Sequence, residues 1–579
     1  MLNENRMRTL YIDLTNKTFR VEERHDLFDW LGGVGVATRL FSELVLPEAD
    51  PLDPRQPIVF AIGPLTTIFP LVTKTVAVFR SPLTGHWGES YAGMRLAFAL
   101  RFAGYDAVVI TGTADRLGYA VISPEGVEFK DARRLKGLST EETGRILRET
   151  EPGRGHRSTI RIGPSGERGV RFAGVNVDTY RHFGRMGLGA VMGAKNLKAV
   201  VVTGQESYPI ADPKAYRKAY DQIFNQAVKT EIMDKYHGLG TPANVVPLNE
   251  LGALPTRNLQ SNRFERAADV SGEAFARENL VRKLACTGCP VGCIHVGLFR
   301  REFAEGYEYE TVTLAYDHEL IFALGIFLGL GTREGIFSLI EKVELLGLDA
   351  ISSGVILGWM TEALEKGLIT EGQVGTRLVF GEAEPYLVAL DRLVEQPNEL
   401  YATLARGLTA AVEKFGGADF ACLLGGHEMA GYHTGYGFVL GQTVGGRHSH
   451  LCNGGYALDQ ERGILDDRDR MVRRLIAEEK WRQVLNSLCL CLFARNIYDE
   501  PTTEMALSSV GIEVSEERLR ELGGRIFYLK LETKKRLGFR PDQVRLPKRY
   551  LETPTFQGRL DEEVLLDLHK RYLKQIGER

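Results

Sequence analysis

The 579-residue sequence has no excess of either charge: 72 lysines and arginines stand against 75 aspartates and glutamates, a net charge of −3. That excludes the broad basic field by which a chain holds nucleic acid or anionic lipid, so neither nucleic acid nor a membrane is an expected partner. Long apolar runs are also missing. The longest, Leu320 to Gly331, has twelve residues, short of the about 20 that span a bilayer, and reads as a buried helix or core segment. Residues 1–8 carry no apolar stretch and no paired arginines, so no secretory signal is expected. Cysteine is sparse and odd in number: seven residues, at 286, 289, 293, 422, 452, 489 and 491. With no signal, this predicts a reducing cytoplasm, where thiols serve as ligands or core residues rather than in disulfides. No internal repeat or low-complexity tract is visible.

What is present reads as a soluble globular chain. Apolar residues make up 44 % and charged residues 25 %, which excludes a disordered or fibrous protein. Glycine, at 63 residues or about 11 %, exceeds the usual ~7 % and predicts tight turns and close backbone packing. The length suits three or four packed units.

The first 206 residues read as β-rich. Leu10, Ile12 and Leu14 alternate, a turn at Thr15-Asn16-Lys17 follows, then Phe19 and Val21. Short apolar runs at 58–62, 76–79, 107–110, 170–177 and 199–202 sit between turn residues and Gly-Pro or Ser-Pro steps. Helical spacing then dominates, over 212–230, 353–366, 385–415, 515–537 and 560–577, with caps at Asp212-Pro213 and Ser515-Glu516-Glu517. The expected fold class is α+β. A β-rich, sandwich-like domain over 1–206 precedes two mainly helical domains, 207–417 and 418–579.

The strongest chemical signal is Cys286-Thr-Gly-Cys289-Pro-Val-Gly-Cys293. Three thiolates at this spacing can converge on one metal centre. A structural zinc site usually shows two such pairs or added histidines, whereas a 4Fe–4S cluster takes four thiolates, often three local and one distant. Cys491 is the distant candidate, with Cys489 as its rival.

Around this loop the chain resembles the tungsten-dependent aldehyde:ferredoxin oxidoreductase family nearly end to end. The resemblance rests on Trp30-Leu-Gly-Gly-Val-Gly35, Gly63-Pro-Leu-Thr66, Ser81-Pro-Leu-Thr-Gly85, Phe102-Ala-Gly-Tyr-Asp106, the Gly184–Lys198 stretch, Tyr309-Glu-Thr311, Gly347-Leu-Asp349-Ala-Ile-Ser352 and Leu488-Cys-Leu-Cys491. It implies a bis-molybdopterin cofactor holding tungsten or molybdenum between base and helices, with magnesium bridging the pterin phosphates. It also implies one 4Fe–4S cluster on Cys286, Cys289, Cys293 and Cys491. Such an enzyme oxidises an aldehyde to the acid with water and passes electrons to ferredoxin or a small iron–sulfur subunit, in an oligomer. The alternative is the tungsten subunit of a class II benzoyl-CoA reductase-like complex, reducing an aromatic thioester. A reading from another class is a metal scaffold without catalysis.

Pterin phosphates need backbone N–H groups and fixed cations. By resemblance these are Gly93, Gly184, Arg185, Gly187 and Gly189, with Lys74 where the family carries an arginine. Two further segments approach the pterins: Glu344-Leu-Leu-Gly347-Leu348-Asp349 and the one beginning at Asn486. They have Glu and Asn where the family has Asp, and Cys489 where it has Gly. The resemblance also assigns Glu310 and His450 to the reacting centre, as proton acceptor and carbonyl-polarising donor, with His448 a rival two residues away. Between Glu310 and Gly347 the chain is longer than the family pattern. This stretch holds Asp317-His318-Glu319 and the apolar run, and is expected to reshape the substrate funnel. An iron site formed at the dimer interface by a family Glu-x-x-His is not expected here, where Ser338 and Glu341 occupy those positions.

Overall fold

The computed structural model describes residues 7–153, 156–207, 210, 212–306 and 308–577. The reading of the N-terminus falls mainly on residues 1–6, outside the described residues. The fold is α+β, with the sheets first and the helices after them.

Two six-stranded sheets form the base. One runs, in spatial order, Thr18–Arg24, Met7–Asp13, Ala107–Thr111, Ile58–Ala61, Thr75–Arg80, Trp87–Ala92. The other runs Arg181–Phe183, Val175–Val177, Ser158–Arg161, Leu197–Val202, Gly118–Ser123, Gly126–Asp131. Each has a single parallel pairing, Met7–Asp13 with Ala107–Thr111 and Leu197–Val202 with Gly118–Ser123.

Side chains alternate across a strand, and here both faces of the first sheet's inner strands are buried, while the edge strand Thr18–Arg24 is exposed. Ile58, Phe60, Val108 and Ile110 meet Ile160, Val175, Val200 and Val202 of the second sheet. Their neighbours Val59, Ala61, Val76, Val78 and Val109 face the helix Gly33–Leu44 and the C-terminal residues Val484, Leu485, Leu519 and Ile526. Strands buried on both faces read as continuous apolar runs, which is why these were visible in the sequence. Strands Gly126–Asp131 and Ser158–Arg161 were not, because polar residues interrupt them, and in Gly118–Ser123 the buried run Ala120 to Ile122 is only three residues long. The expected strand at 170–177 shortens to Val175–Val177.

The expected caps form. Asp212 accepts from the N–H groups of Lys214 and Ala215, and Ser515 from that of Arg518. The stretch 385–415 is three helices, Glu384–Glu395, Glu399–Leu404 and Leu408–Phe415. The apolar run breaks after the helix His318–Leu324 into a short turn, and the helix Arg333–Leu346 follows at 113° to the segment His318–Leu328. Among the described residues no single helix is long and apolar enough to cross a membrane. Ile321 to Leu328 are instead all buried in the helical core.

Candidate active site

The four proposed cluster thiols gather where the base meets the helices. Cys286, Cys289 and Cys293 leave the strand Leu280–Leu284 and enter the strand Ile294–Ala304. Cys491 arrives after the helix Arg468–Ser487, and two backbone bonds hold it against the base: Lys74 N–H to Cys489 O at 3.0 Å and Cys491 N–H to Leu71 O at 2.9 Å. Cys289 and Cys293 each feel the charge of Cys286 and Cys491. Partly buried Lys74 is raised by Cys491, Cys286 and Cys293 against the effect of desolvation. Arg181 is raised by the same three thiols and by Asp317. Cys489 stands apart: its Sγ donates to Ala61 O at 3.6 Å, and burial pushes its thiol up to about 12. No three His, Cys, Asp or Glu side chains among the described residues close as they would on a single ion. Four thiols around two cations fit a cubane cluster, which holds its thiolates further apart than one ion does.

Cys489 has φ +56°, the left-handed region that costs a side-chain-bearing residue about 1–2 kcal/mol. The family glycine at this position therefore has a backbone reason, and the thiol here is a packing residue. The segment around it lies flat on the base. A Cβ on Gly63 would stand 2.0 Å from Leu488 O, and one on Gly33 2.4 Å from the carbonyl of Asn486.

The expected pterin residues divide into two kinds. Gly187 and Gly189 serve chain packing, since Cβ atoms there would meet Arg171 O at 2.0 Å and Gly174 O at 2.4 Å. Gly347 caps its helix in the left-handed region (φ +74°), and Leu348 bridges to Ala173. Glu344 bonds to His182 Nε2 at 2.8 Å and Asn176 Nδ2 at 3.0 Å, tying helix to base. The others keep capacity for a ligand. A Cβ on Gly184 would meet only His182 Cβ, at 3.8 Å. Gly93 lies against Cys286 and Lys74, its Cβ direction meeting them at 2.5 and 3.1 Å. Arg185 donates to Asp349 (3.3 Å) and to Glu428 O (2.9 Å), while its Nη1 is buried without a partner. Asp349 caps the helix Ala350–Glu365 and accepts from Ser352 Oγ at 2.6 Å.

The two residues expected at the reacting centre are not placed together. Glu310 is not brought to His450. It lies on the strand Glu308–Tyr316 of a protruding hairpin, 42 % exposed and ion-paired with Arg301, which also pairs with Glu341. The carboxylate that faces His450 is Glu319, 3.6 Å from its Nε2. The cause is local: Asp317 accepts from Leu320 N–H at 3.1 Å and caps a new helix, whose first turn carries Glu319 inward. Tyr432 Oη is 3.5 Å from Glu319, and the rings of Tyr432 and Tyr456 lie 5.1 and 5.9 Å from His450. Partly buried Glu319 is held below the usual carboxylate range by His450 and His318, and burial pulls His450 down. The pair is therefore a carboxylate beside a neutral imidazole. His450 Nδ1 is buried with no partner.

The rival His448 is fully engaged. Its Nδ1 bonds to Thr443 O at 2.9 Å and its Nε2 to Lys534 Nζ at 3.2 Å. Sequence reasoning missed Arg181, Arg447 and Glu428. Arg447, in the same segment as His450, lies buried over the Tyr91 ring at 4.9 Å. Glu428 shares Ser352 Oγ with Asp349, and burial raises it to about 6. Only the spacing of Arg447 from His450 could have flagged it.

Family comparisons agree with this architecture. Residues 9–204 match the model of the aldehyde ferredoxin oxidoreductase N-terminal domain, and residues 214–577 that of domains 2 and 3. The chain belongs to the aldehyde ferredoxin oxidoreductase family and is an oxidoreductase enzyme of it. It is 31 % identical to a tungsten-containing aldehyde ferredoxin oxidoreductase of Pyrococcus horikoshii, over 98 % of this chain and 95 % of that protein. It is 32 % identical to the protein of that name from Thermococcus kodakarensis, over 98 % and 96 %. An aliphatic sulfonate oxidoreductase, WOR-like subunit, of Pyrococcus furiosus matches at 31 % over 70 % of this chain and 66 % of its own length. Among solved structures, the active site complex BamBC of benzoyl coenzyme A reductase shares the fold, with TM-score 0.85 and 20 % identity over 99 % and 95 % of the two chains.

Proposed function

We propose that the protein oxidises an aldehyde to the carboxylic acid with water, using a bis-pterin tungsten or molybdenum cofactor and a 4Fe–4S cluster, and hands electrons to ferredoxin or a small iron–sulfur subunit. Cys286, Cys289, Cys293 and Cys491 hold the cluster. Arg185, with its unpartnered Nη1, the open backbone at Gly184, and Gly93 and Lys74 beside the cysteine loop hold the pterins, supported by Asp349, Asn486 and Arg447. When bound, the cofactor takes up the two electrons of the oxidation.

The observation that carries the reading is the pairing of Glu319 with buried His450, one of whose imidazole nitrogens is unused. Ionised Glu319 holds Nε2–H, which leaves Nδ1 basic and directed away from Glu319. His450 Nδ1 takes the proton of the attacking water, and Glu319 stabilises the imidazolium that results, as a base with an orienting carboxylate does. The test is anaerobic purification, metal analysis and an aldehyde panel with a viologen dye. Aldehyde-dependent dye reduction, with about four irons per chain and tungsten or molybdenum bound, supports it. Thioester reduction without aldehyde oxidation overturns it.

A further inference from the structure

The cysteine loop reaches the surface beside a cavity that the chemistry above leaves unused. Gly93 packs on Cys286, and Met94 accepts from Thr287 N–H of the loop at 3.3 Å. Exposed Arg95 follows, at the rim of a cavity of about 140 Å³. Arg95, Arg148, Arg157 and Arg161 line it, with Asp178 as the only carboxylate among the described lining residues. That carboxylate is already engaged, by Arg95 N–H at 3.0 Å, Ser158 Oγ at 3.0 Å and Thr159 N–H at 3.1 Å. Arg161 is buried and donates to carbonyls, those of Thr140 and Asp178, at 2.6 Å each. Neither Arg95 nor Arg148 has an ion pair among the described residues.

Four guanidiniums against one engaged carboxylate make a positive recess that attracts anionic groups. Its position says which. Arg157 and Arg161 are held by carbonyls and form the fixed part, while Arg95 and Arg148 are exposed at its edge. In the neighbouring loop Ala285 and Gly288 are also exposed. Acidic side chains seated at this edge would lay their owner's surface over the cysteine loop. A small anion there would meet none of the reacting residues.

We infer that this arginine-lined recess is the docking point of a small acidic electron-carrier protein, whose surface carboxylates seat between Arg95 and Arg148. The inference rests on the redox reading proposed above. Its test uses the anaerobic holoenzyme, an acidic two-cluster ferredoxin as probe, and the variant R95E/R148E. Ferredoxin binding is measured directly by surface plasmon resonance at several ionic strengths, and turnover with both ferredoxin and viologen. The expected result is a Kd and a ferredoxin KM raised at least about tenfold, a shallower salt dependence, and unchanged dye-linked turnover. The milder R95Q/R148Q should lie between and serves if the reversal does not fold. Unchanged ferredoxin Kd in both variants overturns the inference. So does a phosphate-induced rise in Tm that the variants abolish while ferredoxin binds as before, which makes the recess a small-anion site. Absence of any aldehyde-dependent dye reduction would instead sink the redox reading, and the binding measurement still decides the docking.

Discussion

At the residue scale, two carboxylates compete for one role and geometry separates them. Glu319 meets a buried imidazole, whereas Glu310 meets a half-exposed arginine. Loss of general-base function typically costs about 10²–10⁴-fold, while a surface ion pair contributes about 0–1 kcal/mol. Glu319→Gln and His450→Ala should therefore each lower kcat by at least about a hundredfold with metal content unchanged. Glu310→Gln should leave turnover nearly intact. Steady-state kinetics on the three variants checks this, and a large loss confined to Glu310→Gln would return the role to that residue. The thiols divide in the same way. Cys491 shares the field of Lys74 and the loop cysteines, while Cys489 bonds to a backbone carbonyl. Cys491→Ser should lose the cluster's broad visible absorbance or convert it to a three-iron signal by electron paramagnetic resonance. Cys489→Ser should keep it.

At the element scale, the segment 486–491 depends on being laid directly on the base. Gly63 leaves no room for a methyl group, its Cβ position falling 2.0 Å from Leu488 O with the carbonyl carbon at 2.3 Å. Backbone cannot yield as a flexible side chain can, and overpacking a tight site costs about 1–3 kcal/mol or more. Gly63→Ala should lower the melting temperature and the iron content together, because Cys491 is displaced with the segment. Iron retained at the wild-type level in a destabilised variant would show that the segment and the cluster are independent. The short helix starting at Asp317 is a second such device. One cap bond starts the helix that turns Glu319 inward, after a strand that carries Glu310 outward.

At the scale of the whole molecule, base and C-terminal helices are joined by a buried ion pair. Lys530 Nζ donates to Glu89 Oε2 at 2.5 Å and to Gln483 Oε1 at 2.6 Å, and Glu89 also accepts from Trp87 Nε1 and Tyr91 Oη. Burial opposes the ionisation of Glu89, but Lys530 and Arg447 outweigh it and hold its carboxyl down at about 2. A depressed carboxyl contributes stability that is present above its unfolded value, near 4.5, and is lost as pH falls through that value toward about 2. Removing one partner of a buried pair costs about 3–5 kcal/mol, because the other charge stays uncompensated. Glu89→Gln should lower stability markedly at pH 7, and the difference from wild type should shrink as pH falls below 4.5. Denaturant unfolding at pH 7 and pH 4 measures this. An equal difference at both values would show that Glu89 acts through packing rather than charge.

The sequence by itself determined the fold class, the two-faced apolar strands, the helix caps and the cysteine loop. Each of these is written in local pattern: period, cap or spacing within a few residues. The family followed from the order of such patterns along the chain. What only tertiary structure decided was which of several chemically equivalent residues points inward. Glu310 and Glu319 are nine positions apart and alike in type, and His448 and His450 are separated by one residue. Nothing local distinguishes them. The choice comes from a hairpin that carries one glutamate to solvent, a capped turn that carries the other to His450, and carbonyls that already hold His448. The gathering of Cys491 with a loop some 200 residues earlier was suggested by resemblance. The contacts of residues 71–74 with 489–491 are what bring it there.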